Sequence, residues 1–152
     1  NEWNLSRKLV AMVLNDPESD RYGTQLANAY FLGLLMDIET GNTELFGYAV
    51  KNLQRFLRSI GRYDEHEQVI LHELNKVARA GSTLEREEQW AVSYQKMSLN
   101  PAVAETFEFI DLCSWAEARF RQLSFEKLLQ QKWEDQHSDK LSQKRSDKEI
   151  RA

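Results

Sequence analysis

Cysteine occurs once in the 152 residues, as Cys113. One thiol cannot close an intramolecular disulfide and cannot anchor a multi-cysteine zinc site. Two prolines and six glycines are too few for an all-β fold with many tight turns, and they exclude a collagen-like or low-complexity chain. Long apolar runs are missing too. The longest nearly unbroken stretch, Ala27 to Met36, is about half of what a bilayer span requires. Nor does a charged segment followed by an apolar one mark the start as a secretory signal. A large excess of one sign of charge is missing as well: a net −4 gives no general pull toward nucleic acid or anionic membrane. What is present is 41% hydrophobic and 29% charged, enough to bury a core as one domain or a short run of helical repeats.

The chain opens on Asn-Glu-Trp-Asn without an initiator methionine, as expected of a piece of a longer protein. Cytoplasm is the default compartment, with no membrane association expected.

Helix punctuation organises the remainder. Asn4 to Leu14 places Leu5, Leu9, Met12 and Val13 at helical spacing and stops at Asn15-Asp16-Pro17. A second helix runs from about Asp20 to Thr40 and ends at Gly41. A third is expected to be capped by Asn42 and to continue to Ile60, before Gly61. Asp64 with Glu67 forms a capping-box pattern for a fourth, ending near Gly81, and Ser82 with Glu85 repeats it for a fifth, ending near Asn100. Asn100-Pro101 opens a sixth that reaches about Leu123, and Ser124 caps a short seventh through Trp133. No period-two strand competes. The expectation is an all-α domain over residues 1–134, with six or seven helices as stacked antiparallel hairpins, followed by a polar tail over 135–152 that is disordered or, alternatively, one solvated helical extension.

Two helices show how they pack. In the third, Leu45, Phe46, Ala49, Val50, Leu53, Phe56, Leu57 and Ile60 gather on one side. In the second, Tyr22, Leu26, Tyr30, Phe31, Leu32, Leu34, Leu35, Met36 and Ile38 point nearly all round, as in a helix buried among several neighbours.

The unit Ala27 to Ile60 is 34 residues of helix, turn and helix, and with Ala29-Tyr30-Phe31-Leu32-Gly33 and the turn at Gly41-Asn42 it resembles a degenerate tetratricopeptide unit. The proline that often closes that unit is absent. A second helical pair, Asp64 to Ser98, turns at Gly81, forty residues after Gly41, so the repeat is irregular. The stretch Leu53 to Phe120, with Gln-Arg-Phe-Leu-Arg-Ser and Phe-Glu-Phe-Ile-Asp-Leu-Cys-Ser-Trp-Ala-Glu-Ala-Arg, resembles the C-terminal region of uncharacterised bacterial tetratricopeptide-like proteins. That resemblance implies a short, irregular α-solenoid and transfers no functional residue.

Side chains able to do chemistry are few. His66 and His72 lie six apart, about 120° around a helix, and cannot share a metal from one regular helix. Glu65, Glu67 and Glu73 nearby read as complements to a helix dipole. Cys113, beside Leu112, Ser114 and Trp115, reads as inert packing. No phosphate loop, nucleophile elbow or kinase pattern occurs, so neither enzymatic activity nor a cofactor or metal is expected.

One constellation is ordered. Lys51, Arg55, Arg58 and Arg62 fall at steps of four, three and four, within roughly 60° of arc and almost opposite the apolar face of the third helix. They suit an electrostatic contact or an ordinary solvated face. Without an interleaved aromatic platform they suit nucleic acid poorly. The function expected is a protein-interaction or scaffold module with an unknown protein partner. The alternatives are a self-associating C-terminal cap of a longer repeat protein, or an RNA-binding regulator that uses the basic face.

Overall fold

The computed structural model describes residues 2–16, 22–106, 111–135 and 137, all of whose regular structure is helical. The helices are α1 (Glu2–Leu14), α2 (Gly23–Thr40), α3 (Phe46–Ser59), α4 (Glu65–Arg79), α5 (Thr83–Ser98), α6 (Pro101–Thr106), α7 (Leu112–Phe120) and α8 (residues 125–135). The start expected at Asp20 and most of the tail over 135–152 lie outside the described residues.

Local chemistry accounts for most boundaries. Gly41 closes α2 with φ +70°, donating its N–H to the Ile38 carbonyl, while the Asn42 N–H reaches the Asp37 carbonyl. This left-handed closure needs a residue without a Cβ penalty. Asn42 therefore belongs to the end of α2 and does not cap α3. Residues 43–45 turn first, α3 begins at Phe46, and Leu45 is left 74% exposed instead of joining the apolar face. Gly61, at φ +68°, closes α3 in the same way, with the Arg62 N–H on the Leu57 carbonyl. The capping box of α4 is present, the Asp64 N–H donating to Glu67 Oε2 at 3.1 Å. At α5 the Ser82 hydroxyl accepts from the Glu85 N–H at 3.2 Å, whereas the Glu85 carboxylate reaches one residue further back, to the Gly81 N–H at 2.8 Å.

The expected sixth helix divides. Asn100 caps α6 through the Ala102 N–H, but Asp111 starts a new helix, its carboxylate accepting from the Ser114 N–H at 2.8 Å. Ser124 caps α8, accepting from the Lys127 N–H at 3.3 Å.

α1, α2 and α3 pack antiparallel in succession. Arg7 of α1 pairs with Asp37 near the end of α2, and Val10 sits over Gly33. The start of α2 meets the end of α3 through Gly23 and Ile60, and Tyr30 meets Phe56 with ring centroids 5.4 Å apart. α4 and α5 pair through Glu73 and Ser93. Each of α2, α4 and α5 also touches the helix two further on. Phe31, Leu34, Leu35 and Ile38 of α2 meet Val50, Leu53 and Leu57 of α3, Ile70, Leu71, Leu74 and Val77 of α4, and Trp90 and Met97 of α5 in one core. Phe56 belongs to its partly buried margin. α7 packs along α5 and reaches back to α2, where Glu39 accepts from Trp115 Nε1 at 3.1 Å. α8 crosses α7, burying Leu128 and setting Phe125 against Trp115.

The apolar spacing of α1 has a different outcome from that of α3. Val10 is its one buried hydrophobic among the described side chains, while Leu5, Leu9, Met12 and Val13 face outward. No helix among the described residues is long and apolar enough to cross a membrane.

Candidate functional site

On α3 the apolar residues face α2 and α4, which leaves the opposite side to the cations. Lys51, Arg55 and Arg58 are exposed there in helical register. Arg62 departs from the expected stripe. α3 ends at Ser59, Gly61 turns the chain, and the Arg62 guanidinium donates to Thr24 Oγ1 of α2 at 3.0 Å. Arg55 donates to Asn52 Oδ1 at 3.0 Å, and Arg58 lies 4.7 Å from the centre of the Tyr63 ring. Among the described residues none of the four forms an ion pair. Elsewhere several carboxylates are ion-paired: Asp37 with Arg7, Glu39 with Arg119, Glu73 with Lys76 and Lys96, and Glu117 with Arg121 and Lys132. The α3 face holds cationic charge that this intramolecular pairing leaves over.

Glu73 is the most fully bonded buried acid. At 2% exposure its Oε1 accepts from Lys96 at 3.0 Å and Lys76 at 3.2 Å, and its Oε2 from Ser93 and Gln89, each at 3.3 Å. Burial pushes this carboxyl up, but the bonds and charges of Lys96 and Lys76 outweigh it and hold Glu73 below its ordinary value. The bond to Glu73 in turn raises Lys96. With four donors satisfied, this cluster clamps α4 to α5 and has no valence left for a ligand.

At the head of α4, ligand atoms of Asp64, His66 and Glu67 lie within 4.8 Å of one another. Glu67 Oε2 already accepts from the Asp64 backbone and lies 2.8 Å from His66 Nε2. A cation there would also face the positive end of the helix dipole. The cap accounts for the arrangement. His72 is exposed on the following turn and apart from it.

A second polar cluster joins α7 to α8. Ser114 Oγ donates to Asp111 and accepts from Lys132 Nζ at 2.6 Å, and Lys132 reaches Glu117 at 2.7 Å. A serine beside a lysine suggests a nucleophile and its base. Here Lys132 donates to both Ser114 and Glu117, the bonding of a structural tie between α7 and α8. Ser114 is itself 1% exposed. Cys113 is half-buried, and burial, with help from Asp111 and Glu117 against Lys132, pushes its thiol up. It is accordingly a poor nucleophile near neutral pH.

An arrangement that the sequence did not suggest is a cleft of about 500 Å³ where the end of α2, the start of α5 and the end of α7 meet. Ile38 and Trp90 form its floor. Arg119 Nε lies 2.8 Å from Glu39 Oε1, an ion pair off the hydrogen-bond line, with its guanidinium over Trp115. Gln122, left-handed at φ +55° where α7 closes, donates to Glu87 at 3.1 Å across the opening. Arg86 Nε is shut off from solvent with no hydrogen-bond partner among the described residues. The spacing of Arg86 and Trp90, four apart on α5, was the one signal in the sequence. Comparison with protein-family models, with curated proteins and with solved structures finds no match.

Proposed function

We propose that the chain is a non-enzymatic protein-interaction module that takes an acidic protein segment along the outer face of α3. The observation that carries this is the group Lys51, Arg55 and Arg58, exposed in register on one face with no carboxylate partner among the described residues, in a protein whose net charge is −4. Like charges at helical spacing oppose helix formation by about 0.2–0.5 kcal/mol per pair, which an acidic partner would reverse. Arg62, held on Thr24, borders the face. The scaffold in this reading is a short, irregular tetratricopeptide-like array. Its support is the antiparallel packing of α1, α2 and α3 combined with contacts from α2 to α4, α4 to α6 and α5 to α7, the pattern stacked hairpins produce. The tie from Glu39 to α7 folds the end of the array back on itself, which a straight solenoid lacks.

A fluorescein-labelled deca-glutamate peptide, followed by anisotropy at low salt, tests the reading. Saturable binding that weakens at least about tenfold in Arg55→Glu/Arg58→Glu, and falls with added salt, is expected. Equal affinity in that variant, or tighter binding of a single-stranded RNA decamer, overturns it.

A second reading rests on α1. Leu5 and Met12, 62% and 69% exposed, lie with Leu9 and Val13 on a helix face that such residues ordinarily bury. Self-association of the chain through α1 follows from it. Sedimentation of wild type and Leu9→Asp decides this, a dimer lost in the variant supporting it and a monomer at every concentration refuting it.

A further inference from the structure

We propose that the cleft between α2, α5 and α7 binds a small organic monocarboxylate, with Arg86 as the group that holds the carboxylate. Carboxylates buried elsewhere in the described structure have a charged or hydrogen-bonding partner, as Glu67, Glu73 and Glu117 show. Arg86 is the reverse case, a cation partly withdrawn from water whose Nε is sealed off without an acceptor. A guanidinium left this way lacks the bonds its planar fork is built to make, and a carboxylate supplies two of them in parallel.

The rest of the cleft narrows the ligand class. Arg119 is already neutralised by Glu39, and Glu87 takes the amide of Gln122, so the four charged side chains lining the cleft sum to zero. A single negative charge meets Arg86. Any anion there also faces the carboxylates of Glu39 and Glu87, a repulsion that grows with the anion's charge, so a phosphate dianion is disfavoured against a monocarboxylate. Trp90, Ile38, Ala118 and Leu123 present an apolar wall, and about 500 Å³ lies within the range of small-molecule sites. The ligand is therefore a carboxylate on an apolar body. This inference is independent of the α3 face, and either can fail alone.

Sodium phenylacetate serves as the probe, followed by tryptophan fluorescence, since Trp90 floors the cleft and Trp115 lies beneath Arg119. Saturable binding in the millimolar range is expected. Neutral phenylacetamide and inorganic phosphate should each bind at least about tenfold more weakly. Arg86→Leu should lose the binding at least about tenfold while keeping its thermal midpoint, because the guanidinium has no hydrogen bond or ion pair to lose among the described residues. Arg86→Lys should fall between, keeping the charge but losing the fork. No saturation by phenylacetate, equal binding of the amide or of phosphate, or full affinity in Arg86→Leu overturns the proposal. Should Arg86→Leu fail to fold, Arg86 is structural and the proposal fails with it.

Discussion

Replacing Glu73 with alanine is expected to destabilise the protein by about 3 kcal/mol. The carboxylate is 2% exposed, and its four donors do not contribute equally. Lys76 and Lys96 are 38% and 47% exposed, so on losing Glu73 they turn to water, and each attraction lost is worth little after screening. Ser93 has no such escape. It is fully buried, and without Glu73 its hydroxyl keeps only the longer contact with Gln89 at 3.4 Å. Leaving a buried polar group short of a partner costs roughly 1–3 kcal/mol, and removing the one buried methylene that alanine lacks adds about 0.8 kcal/mol. In a domain of this size that lowers the thermal midpoint by about 6–12 °C. Urea and thermal unfolding followed by circular dichroism measure it. Lys96→Met, removing an exposed partner, should destabilise far less than Glu73→Ala does. The sign with pH follows from a folded-state pKa below the ordinary 4.5. Above 4.5 the stabilisation is complete. As pH falls below 4.5 the unfolded chain takes up its proton first, and the advantage over Glu73→Gln drains away until the folded carboxyl titrates too. A loss in Glu73→Ala below about 0.5 kcal/mol, or a gap to Glu73→Gln that widens in acid, would refute the buried-clamp reasoning.

In the core, Leu53→Ala should cost about 3 kcal/mol, because Leu53 is completely buried, while Phe56→Ala, at the half-buried margin against Tyr30, should cost about 2 kcal/mol; chemical denaturation giving the reverse order would place α3 in another register. Gln122→Gly should stabilise by about 0.5–1 kcal/mol, since glycine removes a left-handed penalty of roughly 1–2 kcal/mol at the cost of one exposed bond to Glu87, and a lower thermal midpoint would contradict this. Cys113, its thiol pushed up by burial, should react with a disulfide reagent at pH 8 more slowly than free cysteine does, and a faster rate would show an activating setting that the structure lacks.

Much of the fold was legible because helix ends announce themselves in a few residues. Gly41, Gly61, the Asp64–Glu67 box, Ser82 and Ser124 each stand where the capping chemistry places them. Asn42 misled because an asparagine just past a helix end serves the closing turn as readily as the next start. Asp111 was passed over because Asn100-Pro101 gave a strong start and no glycine or proline interrupts the sequence before Leu123. Periodicity identified apolar stripes on both α1 and α3, but a stripe does not say whether a neighbour covers it. That is decided by α2 and α4, which cover α3 and leave Leu5 and Met12 in water. The α3 cations were legible to the helix end, and Arg62 was lost to the turn at Gly61. The cleft was not legible, since Glu39, Arg86 and Arg119 come from three helices and meet only after packing.

The direct test is a proton–nitrogen NMR titration of the labelled protein with the deca-glutamate peptide. Saturating shifts should concentrate on the amides of Lys51, Asn52, Arg55, Arg58 and Ser59, and should vanish in Arg55→Glu/Arg58→Glu. Shifts centred instead on α1 or on the cleft around Arg86, or no saturable shifts at low salt, would contradict an acidic-segment site on α3.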